Sequence, residues 1–204
     1  MARVGILGGT FNPPHLGHLA LAQRAASELD LAGVHLIPAH TPPHKRAEPE
    51  PGAQHRVEMC HLLIEDAAEL SVCAVEIERG GTSYTVDTLR SIHASHPDVE
   101  MTLITGADSA RTIPGWREPM ALFELADVAV AAREGTDRDA VAGALAPLLG
   151  GARLEFLRAP MLDVSSSQAR ERAARGEPLE DLVGRRVARY ISEHGLYREQ
   201  GPAA

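Results

Sequence analysis

Arg3-Val4-Gly5-Ile6-Leu7-Gly8-Gly9-Thr10-Phe11-Asn12-Pro13-Pro14-His15-Leu16-Gly17-His18 opens the chain with an apolar run, a glycine turn and the start of a helical pattern. Val4–Gly8 is apolar throughout, as expected of a strand covered on both faces. Gly8 and Gly9 let the backbone come close to a ligand, and Thr10 adds a hydroxyl. A helix beginning near Leu16 turns its free N–H groups and positive dipole end toward the same space. His15 and His18 are three residues apart and so share one side of that first turn. Glycines, helix N–H groups and two imidazole donors in one place suit a polyphosphate and the charge that builds on it during transfer. The string is neither a GxGxxG fingerprint nor a Walker A loop. A zinc reading of the two histidines is weak, because no third ligand has a supporting motif.

Working outward, short apolar runs alternate with helical patterns. Strands are expected at Val4–Gly8, Val34–Pro38, Leu70–Ile77, Met101–Thr105, Val128–Ala132 and Leu154–Leu157. Helices are expected at Leu16–Leu29, Gln54–Ala68, Thr85–Ser95, Trp116–Leu125 and Asp137–Leu149. Such alternation predicts an α/β fold: a Rossmann-like, doubly wound parallel sheet with helices on both faces. After Pro160 the pattern is helical only, Ser166–Arg175 and then Leu179–His194. One domain spanning 1–204 is expected, with a sheet core to 160, a helical C-terminal part over 161–198 and a disordered tail over 199–204. The Pro-rich, charged stretch His40–Gly52 reads as a long mobile loop. In an open α/β sheet the ligand lies beyond the carboxyl ends of the strands, and the chemistry-bearing residues do follow strands.

Composition sets bounds on function. The 204 residues are 44% hydrophobic, enough for a sizeable core, and the net charge of -8 provides no basic field for nucleic acid. Glu171, Glu177, Glu180 and Asp181 interrupt the Arg-rich stretch Arg170–Arg189, which therefore reads as a solvated helix face. No apolar run approaches the roughly 20 residues that span a bilayer, and no signal peptide is expected. Cys60 and Cys73 form no CxxC and read as structural thiols of a reducing compartment. The expected location is cytoplasmic, and whether the chain forms a homo-oligomer is left open.

Further blocks follow the other strands. Pro42-Pro43-His44-Lys45 comes after the second, and Gly81-Thr82-Ser83-Tyr84-Thr85-Val86-Asp87-Thr88-Leu89 opens a helix. Gly106-Ala107-Asp108 follows the fourth strand, with Trp116 just beyond. Asp163-Val164-Ser165-Ser166-Ser167-Gln168-Ala169-Arg170 begins the C-terminal helices, and Tyr190-Ile191 with His194-Gly195-Leu196-Tyr197 ends them. With His15-Leu16-Gly17-His18 read as HxGH, this set resembles the nucleotidyltransferase superfamily and, within it, the bacterial nicotinate-nucleotide adenylyltransferases, from Arg3 to Tyr197. There are departures. Asn12 stands where Asp is common and is given no role, Ser167 replaces the usual Thr, and Ala169 the usual Ile.

The resemblance implies that ATP and nicotinate mononucleotide are joined to give deamido-NAD and pyrophosphate. The nucleophile is then already an anionic phosphate oxygen, so catalysis reduces to alignment and charge neutralisation. His15, His18 and Lys45 are the expected catalytic residues. Gly8, Gly9, Thr10, Gly106, Asp108, Arg133, Ser165, Ser166, Ser167 and Arg170 are expected at ATP, with Asp108 on the ribose. Ser165 to Ser167 also fit a helix N-cap. Thr82, Ser83, Tyr84 and Thr85 are expected at the mononucleotide, where N–H groups opening a helix favour an anion, and Trp116 is expected to stack on the pyridine ring. With no carboxylate cage in view, Mg²⁺ is expected to arrive bound to ATP. Three competing readings are a transferase of the same superfamily with another phosphorylated acceptor such as phosphopantetheine, a nucleotide-binding module without turnover, and a metal-dependent phosphohydrolase. The last needs paired Asp-His clusters, which the sequence lacks.

Overall fold

A computed structural model describes residues 2–43, 50–132, 135–158 and 162–198. β1 (Ala2–Gly9) lies at the centre of the sheet, between β2 (Gly33–Pro38) and β4 (Val99–Gly106). β3 (Leu70–Val72) pairs outside β2; β5 (Ala126–Ala132) and β6 (Leu154–Arg158) extend the other side. The order is β3-β2-β1-β4-β5-β6, and every pairing is parallel. This is the doubly wound α/β architecture that the alternation predicts. The chain winds outward from β1 to β3, then crosses back to β4. The connections after β1 and β4 therefore leave in opposite directions and open a crevice between them.

Period-two alternation divides the core. Leu7, Leu36, Ile104 and Ala129 face one side, with α1 (Leu16–Glu28) and α2 (Ala53–Ile64); Ile6, Ile37, Leu103 and Val128 face the other, with α4 (Thr85–Ser95), α6 (Pro119–Leu125) and α7 (Arg138–Leu145). Two further short helices, α3 (Val75–Arg79) and α5 (Ala107–Ala110), sit near the strand ends. The C-terminal helices α8 (Ser166–Ala174), α9 (Glu180–Val183) and α10 (Arg185–Glu193) place Ala169, Ala173, Val183, Val187 and Ile191 into the α1 side of the core. They share that core with the sheet.

Five sequence expectations need correction. The helix expected over Gln54–Ala68 ends at Ile64, whose carbonyl accepts from Ala67 N–H at 2.8 Å in a turn. The strand expected over Leu70–Ile77 stops at Val72: after a last bond to β2, from Cys73 N–H to the Leu36 carbonyl at 2.9 Å, the chain turns into α3, which buries Glu76. The helix expected from Trp116 begins at Pro119: Glu118 is left-handed (φ 47°), and a proline in the first helical position has no N–H to satisfy. The helix expected over Leu179–His194 is cut in two at Gly184, whose φ is 80°. Asp137 caps α7 by accepting from Ala140 N–H, but that helix gives way to a 3₁₀ turn at Ala146–Leu148 instead of running to Leu149. Of the loop expected over His40–Gly52, residues 44–49 lie outside the described residues, as does the whole of the tail expected over 199–204. No helix among the described residues is long and apolar enough to cross a membrane.

Candidate active site

A cavity of about 900 Å³ occupies the crevice at the carboxyl end of the sheet. Its floor is the turn after β1. Phe11 holds a left-handed φ of 51°, which is uncommon for a residue with a side chain, and its ring is buried. A Cβ on Gly9 would lie 3.0 Å from that ring, so glycine lets the ring fold back over the strand end. A Cβ on Gly17 would lie 3.0 Å from His15 Nδ1 and 3.1 Å from Val164, which explains the glycine between the histidines.

His15 takes the N-cap position of α1, and its ring stacks on that of His18 with centroids 3.6 Å apart. Phe11 meets the His18 ring edge-on at 4.9 Å. The backbone N–H of His15 donates to His18 Nδ1 at 3.2 Å. A ring nitrogen that accepts carries no proton, so the neutral His18 ring carries its proton on Nε2. Burial first, and the neighbouring His15 second, hold the His18 imidazole well below the ordinary histidine value of 6.5. The residue nonetheless lines the cavity. His18 is thus a neutral donor.

The floor is braced from both sides. Arg170 donates to the Asn12 carbonyl at 2.7 Å, and Ser166 Oγ donates to the Pro13 carbonyl at 2.8 Å. The Tyr197 hydroxyl donates to Asn12 Oδ1 at 2.6 Å, and burial pushes the Tyr197 hydroxyl pKa up. Arg56 is 1% exposed. It donates to the Thr10 carbonyl at 2.8 Å, to the His40 carbonyl at 3.2 Å and to Glu50 at 2.8 Å. It therefore ties the turn after β1 to the turn after β2. Such a buried cation is tolerable because every arm of the guanidinium has an acceptor.

At the far end lie Tyr84 and Thr85, which open α4, and Trp116 after a 3₁₀ turn at Ile113–Gly115. Trp116 Nε1 donates to Thr112 Oγ1 at 2.9 Å. The Arg117 guanidinium lies 4.9 Å from the Tyr84 ring centroid and donates to Asp87 at 3.3 Å; Arg90 grips Glu118 at 2.7 Å. These contacts hold the tryptophan turn against α4. Glu76, 7% exposed, also lines this end and accepts from Thr88 Oγ1 at 2.5 Å.

Most residues expected at the site line this one cavity: Gly8, Gly9, Thr10 and His18 on the floor, Ser166, Ser167 and Arg170 beside it, Asp108 at the rim, and Ser83, Tyr84, Thr85 and Trp116 at the far end. Ser165 does not line it; its hydroxyl caps α8 by accepting from Gln168 N–H at 3.2 Å. Neither do Gly106, His15 or Thr82; Thr82 instead pairs in a β-bridge with Thr41. Lys45 and Arg133 lie outside the described residues. Sequence reasoning missed Arg56, Glu76 and Tyr197, and it gave no role to Asn12. For Arg56 there was one signal, a charged residue set among Val57, Met59 and Cys60 on a helix face. Among the described residues no group of three His, Cys, Asp or Glu side chains is placed to hold a metal ion.

Known proteins resemble this chain over nearly all of its length. Residues 6–172 match the cytidylyltransferase-like family. A protein of Symbiobacterium thermophilum named "Probable nicotinate-nucleotide adenylyltransferase" is 43% identical, covering 97% of this chain and 96% of its own. One of Bordetella petrii with the same name is 44% identical, covering 97% and 100%. Among solved structures, the nicotinic acid mononucleotide adenylyltransferase of Plasmodium falciparum complexed with NaAD superposes with a TM-score of 0.77 at 17% identity, covering 97% of this chain and 98% of that one. At that identity the likeness speaks for the fold alone, whereas the two bacterial proteins and the family match carry the relationship. This chain belongs to the cytidylyltransferase-like family and, within it, to the nicotinate-nucleotide adenylyltransferases.

Proposed function

We propose that this protein transfers the adenylyl group of ATP to nicotinate mononucleotide, giving deamido-NAD and pyrophosphate. The observation that carries the reading is one cavity with phosphate donors at one end and a flat aromatic, N–H-lined end at the other, in a chain of this family. The phosphate oxygen of the mononucleotide attacks the α-phosphorus of ATP. A P–O bond forms, the α–β bridging P–O bond breaks, and pyrophosphate leaves with the electron pair. No proton has to be removed from the nucleophile. The His18 Nε2–H donates to the oxygens on which charge builds. Arg170 and Ser167 add donors beside it, and Lys45, Arg133 and Asp108 are proposed to complete the ATP contacts. A magnesium ion would arrive on the triphosphate oxygens and water and lower their negative charge, since the described residues build no cage for it.

The acid is preferred over the amide at the far end. Among the described residues no backbone carbonyl accepts from the N–H of Tyr84 or Thr85, both at the start of α4. A carboxylate accepts from both donors, whereas an amide must turn its own N–H toward one of them, at about 1–3 kcal/mol for the unpaired group. Discrimination on the order of a hundredfold in kcat/KM is expected. Trp116 stacks on either ring, so Trp116→Ala weakens both substrates alike. The test is pyrophosphate release with ATP and equal concentrations of nicotinate and nicotinamide mononucleotides. Equal use of both would remove the anion site, and turnover of phosphopantetheine in their place would overturn the acceptor.

A further inference from the structure

The geometry points to Glu76 as the counter-charge for the cationic pyridine ring of the acceptor. This assignment rests on the proposed acceptor and concerns a residue for which that reading has no use. A pyridine joined through its nitrogen to ribose carries a full positive charge, spread over the ring. Glu76 lines the ring end of the cavity and is 7% exposed. Its hydrogen-bond donor is neutral, the Thr88 hydroxyl at 2.5 Å; the Arg79 guanidinium reaches the carboxyl only through that same hydroxyl, to which it donates at 3.1 Å, and makes no direct ion pair with it. Among the described residues, Glu76 makes no ion pair. A carboxylate this buried is costly unless a cation meets it directly, and a cation held one hydroxyl away offsets only part of that cost.

Two further observations place a cation on this end of the cavity. Tyr84 and Trp116 present aromatic rings to it, and aromatic faces attract positive charge. In this structure a cation already lies against one of them, the Arg117 guanidinium 4.9 Å from the Tyr84 centroid. The charged side chains lining the cavity also differ in what they meet. Arg170 stands beside the neutral donor His18, and Arg117, the cation lining the ring end, is paired with Asp87; of the two carboxyls lining the cavity among the described residues, Asp108 is fully exposed at the rim and Glu76 alone is buried. A negative group among aromatic faces, opposite a donor-rich phosphate site, matches a mononucleotide that is anionic at one end and cationic in its ring.

The 1,4-dihydro form of nicotinate mononucleotide keeps the phosphate, ribose and carboxylate but has an uncharged ring. Steady-state kcat/KM for the oxidised and dihydro forms should be measured in the wild type, Glu76→Gln and Glu76→Asp, with KM for ATP alongside. Taking the ratio of the two substrates within one variant cancels any loss of folded protein. Glu76→Gln is expected to lower the oxidised-to-dihydro ratio on the order of tenfold, through KM for the mononucleotide, and to leave KM for ATP in place. Glu76→Asp, which keeps the charge, is expected to retain an intermediate ratio, and it provides the same readout should Glu76→Gln not fold. An equal loss on both forms would overturn the assignment and leave Glu76 as a brace for Thr88. A gain on the oxidised form would overturn it too, by showing that repulsion of the nicotinate carboxylate dominates. A wild type that turns over neither form refutes the acceptor itself and this inference with it, a result distinguishable from both.

Discussion

His18→Ala tests the catalytic reading most sharply. His15 N–H fixes His18 Nδ1 as an acceptor, so one Nε2–H donor is what the ring offers to a phosphate oxygen. Removing one donor from a preorganised charge-stabilising site costs about a hundredfold to a thousandfold in kcat, or roughly 3–4 kcal/mol. KM for either substrate should move far less, because the bond strengthens as charge builds. Stopped assays of deamido-NAD formation on protein shown folded by circular dichroism give the number. The structure also predicts a pH signature. Burial and His15 keep the folded His18 neutral well below 6.5, so kcat should show no His18-dependent rise as pH drops from 8 to 6. Stability behaves otherwise. Below 6.5 the unfolded chain takes up a proton that the folded imidazole refuses. The stability of the neutral ring is therefore complete above 6.5 and is lost as pH falls from there toward the depressed folded value, at up to about 1.4 kcal/mol per pH unit. His18→Asn should flatten that slope in urea titrations. A His18 variant with near wild-type kcat, or a kcat that climbs with protonation of His18, would refute the neutral-donor mechanism.

Three other outcomes follow from the braces and the charge balance. Arg56→Met leaves the Thr10 and His40 carbonyls and Glu50 without their donor, a loss of about 3–5 kcal/mol that scanning calorimetry should read as a fall in Tm of roughly 6–20 °C; a change under about 1 kcal/mol would mean that the two turns hold without it. Tyr197→Phe removes the donor to the buried Asn12 Oδ1 and should cost about 1–3 kcal/mol by urea unfolding. Excess chelator should abolish activity, with Mg²⁺ restoring it, while far-UV circular dichroism stays unchanged; unfolding on chelation would reveal a structural metal.

The features legible in the sequence are local ones. Val4 to His18 reads correctly because strand, glycine turn and helix start are all encoded within a few residues, and Thr85–Ser95 appears as a helix with the bounds expected. The reading fails where a distant partner decides. Leu70 to Ile77 shows strand-like alternation, yet its pairing with β2 ends at Val72 and Leu36, where the chain leaves for α3, and Thr88, twelve residues on, draws Glu76 inward. Arg56 is recognisable as a brace only once Thr10, 46 residues earlier, is beside it. Ser165, Ser166 and Ser167 read alike in sequence, but the helix start separates them into a cap, a brace for the Pro13 carbonyl and a partner of Arg170.

The hydrogen bond from Tyr197 to Asn12 joins residues 185 apart in the chain. A ribosome makes the cavity floor well before Ser166, Arg170 and Tyr197, which steady it. At about 5–20 residues per second, the floor waits roughly ten to forty seconds for its supports. During that interval the nascent chain has the glycines and both histidines but lacks the contacts that shape them for ATP. Nucleotide binding should therefore report synthesis through Tyr197: chains arrested before residue 197 should fail to be protected from proteolysis by ATP, and chains released with Tyr197 in place should gain that protection.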